Sequence, residues 1–366
     1  MNHKDTKFDC LHFRGAIPCK PNKVDGSICL DCKHYLPIKS NILIIKLGAL
    51  GDVIRTTPLL EKLREKHNNA HISWLTLSPS ILPKNSIEEI LPLNVVSLFN
   101  LQHTAFDIVI NLDKDKEACL LTSLITAKEK FGFTWKDGHI AACTPAAERK
   151  LLTGYFDSLS QENTKSYLEE IFEICHFKFN KEEYLIHLND KMASFWKEKF
   201  VKLSDGKIII GLNTGCGPRW NTRLWSDEKW IETARSLQEN GYFPIFLGGE
   251  LEHAKNERLS IASNVYYPGH FSLEEFIAIT NCCDAIVTQV TMMMHIATAL
   301  KKKMVLMNTI FNPFEFELYG RGILVGPPSP CQCYFGNTCK FEAPCMLSIE
   351  SNTIVLAMEE LVIGKP

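Results

Sequence analysis

Apolar positions along the chain come in short runs, separated by longer stretches of amphipathic or polar character. Residues 42–45 form four consecutive apolar positions, three of them isoleucine, which reads as a strand buried on both faces. Gly48 and Gly51 then supply a tight turn, and an amphipathic helix is expected from Asp52 towards His67. Further strands are predicted over 72–77, 95–98 and 106–111, a helix over 117–128, and a short segment from Phe131 and Gly132. Another helix covers 164–175, with Leu168, Ile171, Phe172 and Cys175 on one face. A helical pattern over 192–202 leads out of this half.

The second half repeats the theme. A strand over 207–212 runs into Asn213-Thr214-Gly215-Cys216-Gly217. A helix over 227–240 follows, with Ser226 as N-cap and Gly241 as stop. A strand over 242–247 ends at Gly248-Gly249-Glu250. A helix over 272–282 carries Ser272 at its N-cap and Glu275 three positions on. Strands over 284–288 and 304–308 flank a helix over 292–300, and 352–361 reads as a last helix. Alternation of this kind argues for an α/β protein with two doubly wound parallel sheets. The expected segments are a cysteine-rich extension over 1–40, a Rossmann-like domain over 41–195, a second over 206–350, and a C-terminal helix over 351–366.

Composition narrows the class. A length of 366 residues suits two domains, and 45% hydrophobic with 22% charged residues is ordinary for a soluble globular protein. A formal net charge of −2 argues against a nucleic-acid binder. Residues 2–40 are polar and cysteine-bearing, with no signal-like apolar region, and no apolar run reaches membrane-span length. A cytoplasmic location is therefore expected. In a reducing compartment, fourteen cysteines suggest thiols or metal ligands, not disulfides.

Four stretches carry candidate chemistry. Asp52 stands at the carboxyl end of a strand, where open α/β sheets place ligands. It can serve as a base or simply cap the helix that follows. The spacing Gly48-x-x-Gly51-Asp52 is not the Gly-x-Gly-x-x-Gly of dinucleotide binders. After the 207–212 strand, Thr214 and Gly215 can expose N–H groups to a phosphate, and Arg219 and Arg223 have forks that match phosphate oxygens. Alternatively, these arginines face solvent. Glu250 and Glu252 follow a glycine-rich strand end. Thr291 and His295 stand at a strand-to-helix turn whose N-terminus suits phosphate, although a methionine stripe there also reads as core. Asn312, Glu315 and Glu317 are weaker candidates. Two cysteine sets complete the inventory. Cys10, Cys19, Cys29 and Cys32 include one Cys-x-x-Cys, and Cys331, Cys333, Cys339 and Cys345 lie within one short stretch. Both are candidate ligands for a structural zinc or an iron–sulfur cluster, with free thiols as the plain alternative.

Lys46, Gly51, Asp52, Thr57 and Pro58 resemble the opening motif of glycosyltransferase family 9, the ADP-heptose:lipopolysaccharide heptosyltransferases. Arg223 and Trp225 match the family's cation–x–Trp, and Thr291 and His295 match its donor turn. The resemblance implies the GT-B architecture, two Rossmann-like domains facing a cleft, with the acceptor domain first and the nucleotide-sugar donor domain second. It implies Asp52 as catalytic base and Arg223 as the cation on the departing diphosphate, with no metal needed for catalysis. Thr214, Gly215, Arg219, Glu250 or Glu252, Thr291 and His295 would hold an ADP-sugar, most often ADP-heptose. The acceptor would be a lipid-linked or lipopolysaccharide-type glycan, which would bring the protein to the inner face of the cytoplasmic membrane as a peripheral enzyme. Val290 and Met292 depart from the family's Asp and Gly. That departure keeps open a non-catalytic nucleotide-, glycan- or metal-binding protein derived from the same fold. A nucleotide-dependent oxidoreductase is a further rival, disfavoured by the missing glycine fingerprint.

Overall fold

The computed structural model describes residues 2–217, 221–336 and 338–364. The chain divides into two compact units. One comprises Met1–Gly48, Pro58–Arg149 and Ile171–Glu182, and the other comprises Ala49–Thr57, Lys150–Glu170 and Glu183–Pro366.

The first unit is built on a six-stranded sheet of β1 (Ser40–Ile45), β2 (Ala70–Thr76), β3 (Glu89–Pro92), β4 (Phe106–Asn111), β5 (Ala127–Lys136) and β6 (His139–Ala142). The order is β3-β2-β1-β4-β5-β6, parallel except for the antiparallel β5–β6 pair. This is the order of the Rossmann fold, with its switch point between β1 and β4. Ile42 to Ile45 are fully buried, as expected of a strand covered on both faces. At the switch point the Asp113 carboxylate accepts from the Leu47 N–H and pairs with Lys46. Burial raises the Asp113 pKa, and the Lys46 ammonium works against that rise.

The second unit is built on a five-stranded parallel sheet of β7 (Ile209–Asn213), β8 (Phe243–Leu247), β9 (Ala285–Gln289), β10 (Lys303–Met307) and β11 (Gly322–Val325). The order β11-β10-β9-β7-β8 is the other common doubly wound arrangement, with its switch point between β7 and β9. The Asp227–Glu239 helix is capped by Ser226, which accepts from the Lys229 N–H. The Leu273–Cys282 helix is capped by Ser272, which accepts from the Glu275 N–H. The Ser351–Ile363 helix packs on the Asp227–Glu239 helix and on β10 and β11, burying Ile354, Val355 and Met358 in the same core as Trp225 and Trp230. Among the described residues no helix is long and apolar enough to cross a membrane.

Three local expectations fail for identifiable reasons. Residues 95–98 start a helix, Val95–His103, and do not form a strand. The Asn94 side chain caps it by accepting from the Ser97 N–H at 2.9 Å, and Val95 and Val96 face solvent. The helix from Asp52 to His67 is two helices, Leu50–Ile54 and Leu59–Lys66. The Thr56 and Thr57 hydroxyls donate back to the Asp52 and Ile54 carbonyls at 2.8 and 2.7 Å, and Pro58 has no N–H to continue the ladder. The helix over 117–128 ends at Leu124, because the chain must enter β5 at Ala127 to pair with Phe106. Among the described residues, the helices Lys20–Asp25, Pro145–Tyr155, Asp157–Glu162 and His253–Ser263 had no predicted counterpart.

Candidate active site

The carboxyl ends of β7 and β9 are stitched together at the switch point of the second sheet. Asn213 Nδ2 donates to Thr288 Oγ1 and to the Gly215 carbonyl, each at 3.1 Å. The Gln289 amide, oriented with its nitrogen towards them, donates to the carbonyls of Asn213 and Gly215 at 3.1 and 3.3 Å. Buried amides with several partners hold a loop in one conformation. Thr214 is fully buried and donates to Asn256 Oδ1 at 2.6 Å. Thr291 caps the Met292–Ala299 helix by accepting from the Met293 N–H at 3.2 Å, and its hydroxyl lies 3.3 Å from that of Thr288.

Arg223 braces this junction. Its guanidinium donates to the carbonyls of Val290 and Cys216, the latter at 2.9 Å, and it stands over the Phe311 ring. The charge thus ties the β7 loop to the β9 turn. Trp225, two residues on, is buried and donates from Nε1 to the Ile349 carbonyl at 3.0 Å. Arg219 lies outside the described residues.

Of the two acidic candidates after β8, the structure separates them. Glu250 is exposed. Glu252 folds back on the glycines, accepting from the Gly249 N–H at 3.0 Å. A Cβ on Gly215 would stand 2.3 Å from its carboxyl carbon, and one on Gly248 would stand 2.7 Å from its Cβ. Both glycines are therefore needed for the close approach of Glu252. Lys255, which sequence reasoning missed, donates to the Thr214 carbonyl at 3.4 Å and pairs with Asp227 at 3.3 Å. A lysine one helical turn past a glycine-rich strand end was the only signal available.

The second unit also contains Ala49–Thr57, and with it the Gly51-Asp52 turn. The Leu50–Ile54 helix packs directly on the Met292–Ala299 helix. A Cβ on Gly51 would stand 2.4 Å from Cδ2 of His295, so only glycine allows this approach. His295 is 8% exposed, its ring stacks on Tyr184 with centroids 6.1 Å apart, and Nδ1 has no partner among the described residues. Burial, assisted by the Arg55 charge and opposed by Asp52, pushes its pKa down to about 3. The imidazole is neutral at working pH, a hydrogen-bonding group and not a cation.

Asp52 keeps about a third of its side chain exposed, and Oδ1 pairs with Arg55 Nε at 2.8 Å. Arg55 reaches Glu315 Oε1 at 2.8 Å with NH1 and lies 3.6 Å from the Tyr167 ring centroid. Burial works against the guanidinium, but the Asp52 and Glu315 carboxylates outweigh it and raise its pKa. Asp52 therefore has a permanent cation on one oxygen and an accessible edge besides. Arg55, Tyr184 and Tyr167 were not singled out from sequence, since nothing in spacing shows that they converge on Asp52 and His295.

The C-terminal cysteines gather in one loop. Cys333 Sγ and Cys339 Sγ are 3.6 Å apart, and Cys345 is in side-chain contact with Cys331 and Cys339. The Lys340 N–H donates to Cys333 Sγ at 3.1 Å and the Cys333 N–H to Cys331 Sγ at 3.4 Å. The N-terminal set belongs to the first unit and this one to the second. Among the described residues, no group of three or more His, Cys, Asp or Glu is set to hold a metal ion.

Two Rossmann-like sheets, with a stitched loop, a capped helix and a Gly-Asp turn collected in one unit, are the architecture of the GT-B class of glycosyltransferases. The model of glycosyltransferase family 9 (heptosyltransferase) matches residues 98–343, more than half of the chain, and the chain belongs to that family. The Gly51-Asp52 turn lies before the matched residues. Among solved structures, the chain resembles a family 9 glycosyl transferase from Veillonella parvula at TM-score 0.69 and 19% identity, over 90% of this chain and 98% of that one. It also resembles E. coli ADP-heptose lps heptosyltransferase II at 0.63 and 15%, over 88% and 98%. A third likeness is E. coli heptosyltransferase WaaC with ADP, at 0.58 and 18%, over 88% and 98%. At these identities the likeness establishes the fold. A comparison with curated proteins gives no match. The family sets aside the oxidoreductase reading.

Proposed function

We propose that the chain transfers heptose from ADP-heptose, with inversion, to a hydroxyl of a lipopolysaccharide core or related glycan. The observation that carries this reading is the packing of Gly51-Asp52 against His295. It puts the family's base candidate beside the helix that the family uses for donor phosphates. Asp52 takes the proton from the acceptor hydroxyl, and its Arg55 partner orients the carboxylate. The β7 loop at Thr214 and Gly215 and the Thr291-capped helix offer N–H groups to the diphosphate. Arg223 holds that loop and lends positive charge as the diphosphate leaves. His295, neutral and with Nδ1 to spare, is a hydrogen-bond partner for the donor sugar or phosphate. Glu252, rather than Glu250, accepts from a ribose hydroxyl, a reading supported by its close approach to the β7 loop at Gly215. No step in this scheme calls for a metal ion.

Val290 and Met292 shape the donor side differently from the family pattern, so the sugar specificity is the part of the reading most open to test. A lipid-bearing acceptor places the reaction at the inner face of the cytoplasmic membrane, with the protein peripheral to it. The C-terminal thiols, in mutual contact and met by N–H donors, have the chemistry of a structural tetrathiolate zinc or iron site. Metal content of the purified chain tests that.

The donor assignment is tested by thermal stabilisation with ADP, ADP-heptose, UDP and UDP-glucose. A rise in midpoint confined to the adenine compounds, and reduced in Glu252→Ala, supports it. No rise with ADP-heptose at concentrations up to millimolar refutes it.

A further inference from the structure

The described residues 2–39 have no hydrophobic core of their own. Their regular structure is one 3-10 turn, His3–Asp5, one short helix, Lys20–Asp25, and an isolated bridge between Cys10 and Pro37. Pro21 is the one residue among the described residues 2–39 that is buried, while Phe8, Ile17, Ile28 and Leu30 are exposed. None of them joins either of the large core clusters. A segment of about 40 residues with so little burial usually needs a covalent or metal staple to hold one fold.

The four cysteines supply one. Cys10, Cys19, Cys29 and Cys32 all line a single pocket of about 240 Å³, together with Phe13 and Tyr35. None of the four is in a disulfide. A water needs roughly 10–15 Å³ of such space, so the pocket accommodates a group of many atoms. A single zinc requires four sulfurs about 2.3 Å from one centre. The four thiols instead border one pocket, with room between them for more than a single ion. The remaining lining is mostly apolar, with Phe13, Ile17 and Ile28, but Lys7 and His12 also border it.

We infer that residues 10–35 form a four-thiolate site for a [4Fe–4S] cluster, with Cys10, Cys19, Cys29 and Cys32 as its ligands. Four thiolates, a mostly apolar surround and room for a polynuclear core are what such a cluster requires. The inference is independent of the donor and acceptor readings.

The full-length chain, expressed with added iron and purified without oxygen, tests it. The expected result is about four iron and four acid-labile sulfide per chain, with a broad visible absorption that bleaches on dithionite reduction. The Cys29→Ser/Cys32→Ser chain should lose the sulfide, while Cys333→Ser/Cys339→Ser should keep it. Because the wild-type sulfide content decides on its own, misfolding of a variant does not rescue the idea. Stoichiometric zinc without sulfide overturns it. So do disulfides between these cysteines in the anaerobic protein, or full sulfide retention in the Cys29→Ser/Cys32→Ser chain.

Discussion

Gly51→Ala probes the contact on which the functional reading rests. The added Cβ would stand 2.4 Å from Cδ2 and 3.0 Å from Nε2 of His295. Carbon–carbon contacts relax at about 3.5–4.0 Å, so one side must yield by about 1 Å. His295 has little freedom to yield, since every residue from Met293 to Thr298 is buried. Overpacking of this kind costs about 1–3 kcal/mol. Opposing it, alanine in a helix gains about 0.5–1 kcal/mol over glycine. The net expectation is a loss of about 1 kcal/mol. In a His295→Ala background the steric part vanishes and only propensity remains, so Gly51→Ala should then stabilise by up to about 1 kcal/mol. The sign reverses, and the double-mutant cycle should show a coupling of about 1–3 kcal/mol. Denaturant unfolding of the four proteins reads this directly. The reasoning is refuted if Gly51→Ala has the same effect in both backgrounds, or if it stabilises the wild type.

Further outcomes follow from other parts of the structure. Lys46→Met leaves the Asp113 carboxylate buried without its ammonium and should cost about 3–5 kcal/mol by denaturant unfolding, with Lys46→Met/Asp113→Leu recovering most of it. Stability should fall as pH drops below about 6.5, because the unfolded His295 takes up a proton that the folded one, with its pKa near 3, refuses. The slope from this group approaches about 1.4 kcal/mol per pH unit between those values, and His295→Gln should flatten it in a series of denaturation midpoints. Arg223→Lys cannot span both the Cys216 and Val290 carbonyls, so it should weaken ADP binding by calorimetry about tenfold or more while leaving the fold intact.

Much of this was legible in the chain. Runs such as 42–45 and 106–111 are too apolar and too short to be anything but covered strands, and Ser226 and Ser272 cap the helices their positions announce. The failures were local contests that periodicity does not register. At Asn94 a single side-chain cap overrode two β-branched valines. At Thr56 and Thr57 hydroxyls bonding back to the backbone ended a helix whose apolar spacing ran on. For the site, single residues at strand ends were visible: Asp52, Thr214, Gly215, Thr291 and His295. Their supporting partners were less so: Arg55 stands three residues from Asp52 yet was not singled out, Glu315 was only a weaker candidate, and Tyr184 comes from a distant segment that only the folded chain brings onto His295. Glu252 was distinguished from Glu250 only by the glycines it lies on.

The most direct test of the central claim is ADP release from ADP-heptose in the presence of lipopolysaccharide-core acceptors, compared between the wild type and Asp52→Asn. Asp52 is partly exposed and Arg55 retains Glu315, so the variant should fold and still bind ADP. The account predicts acceptor-dependent release by the wild type, reduced at least about a hundredfold in Asp52→Asn with ADP affinity unchanged. Equal rates in the two proteins, or no acceptor-dependent release by the wild type with any core glycan, would contradict it.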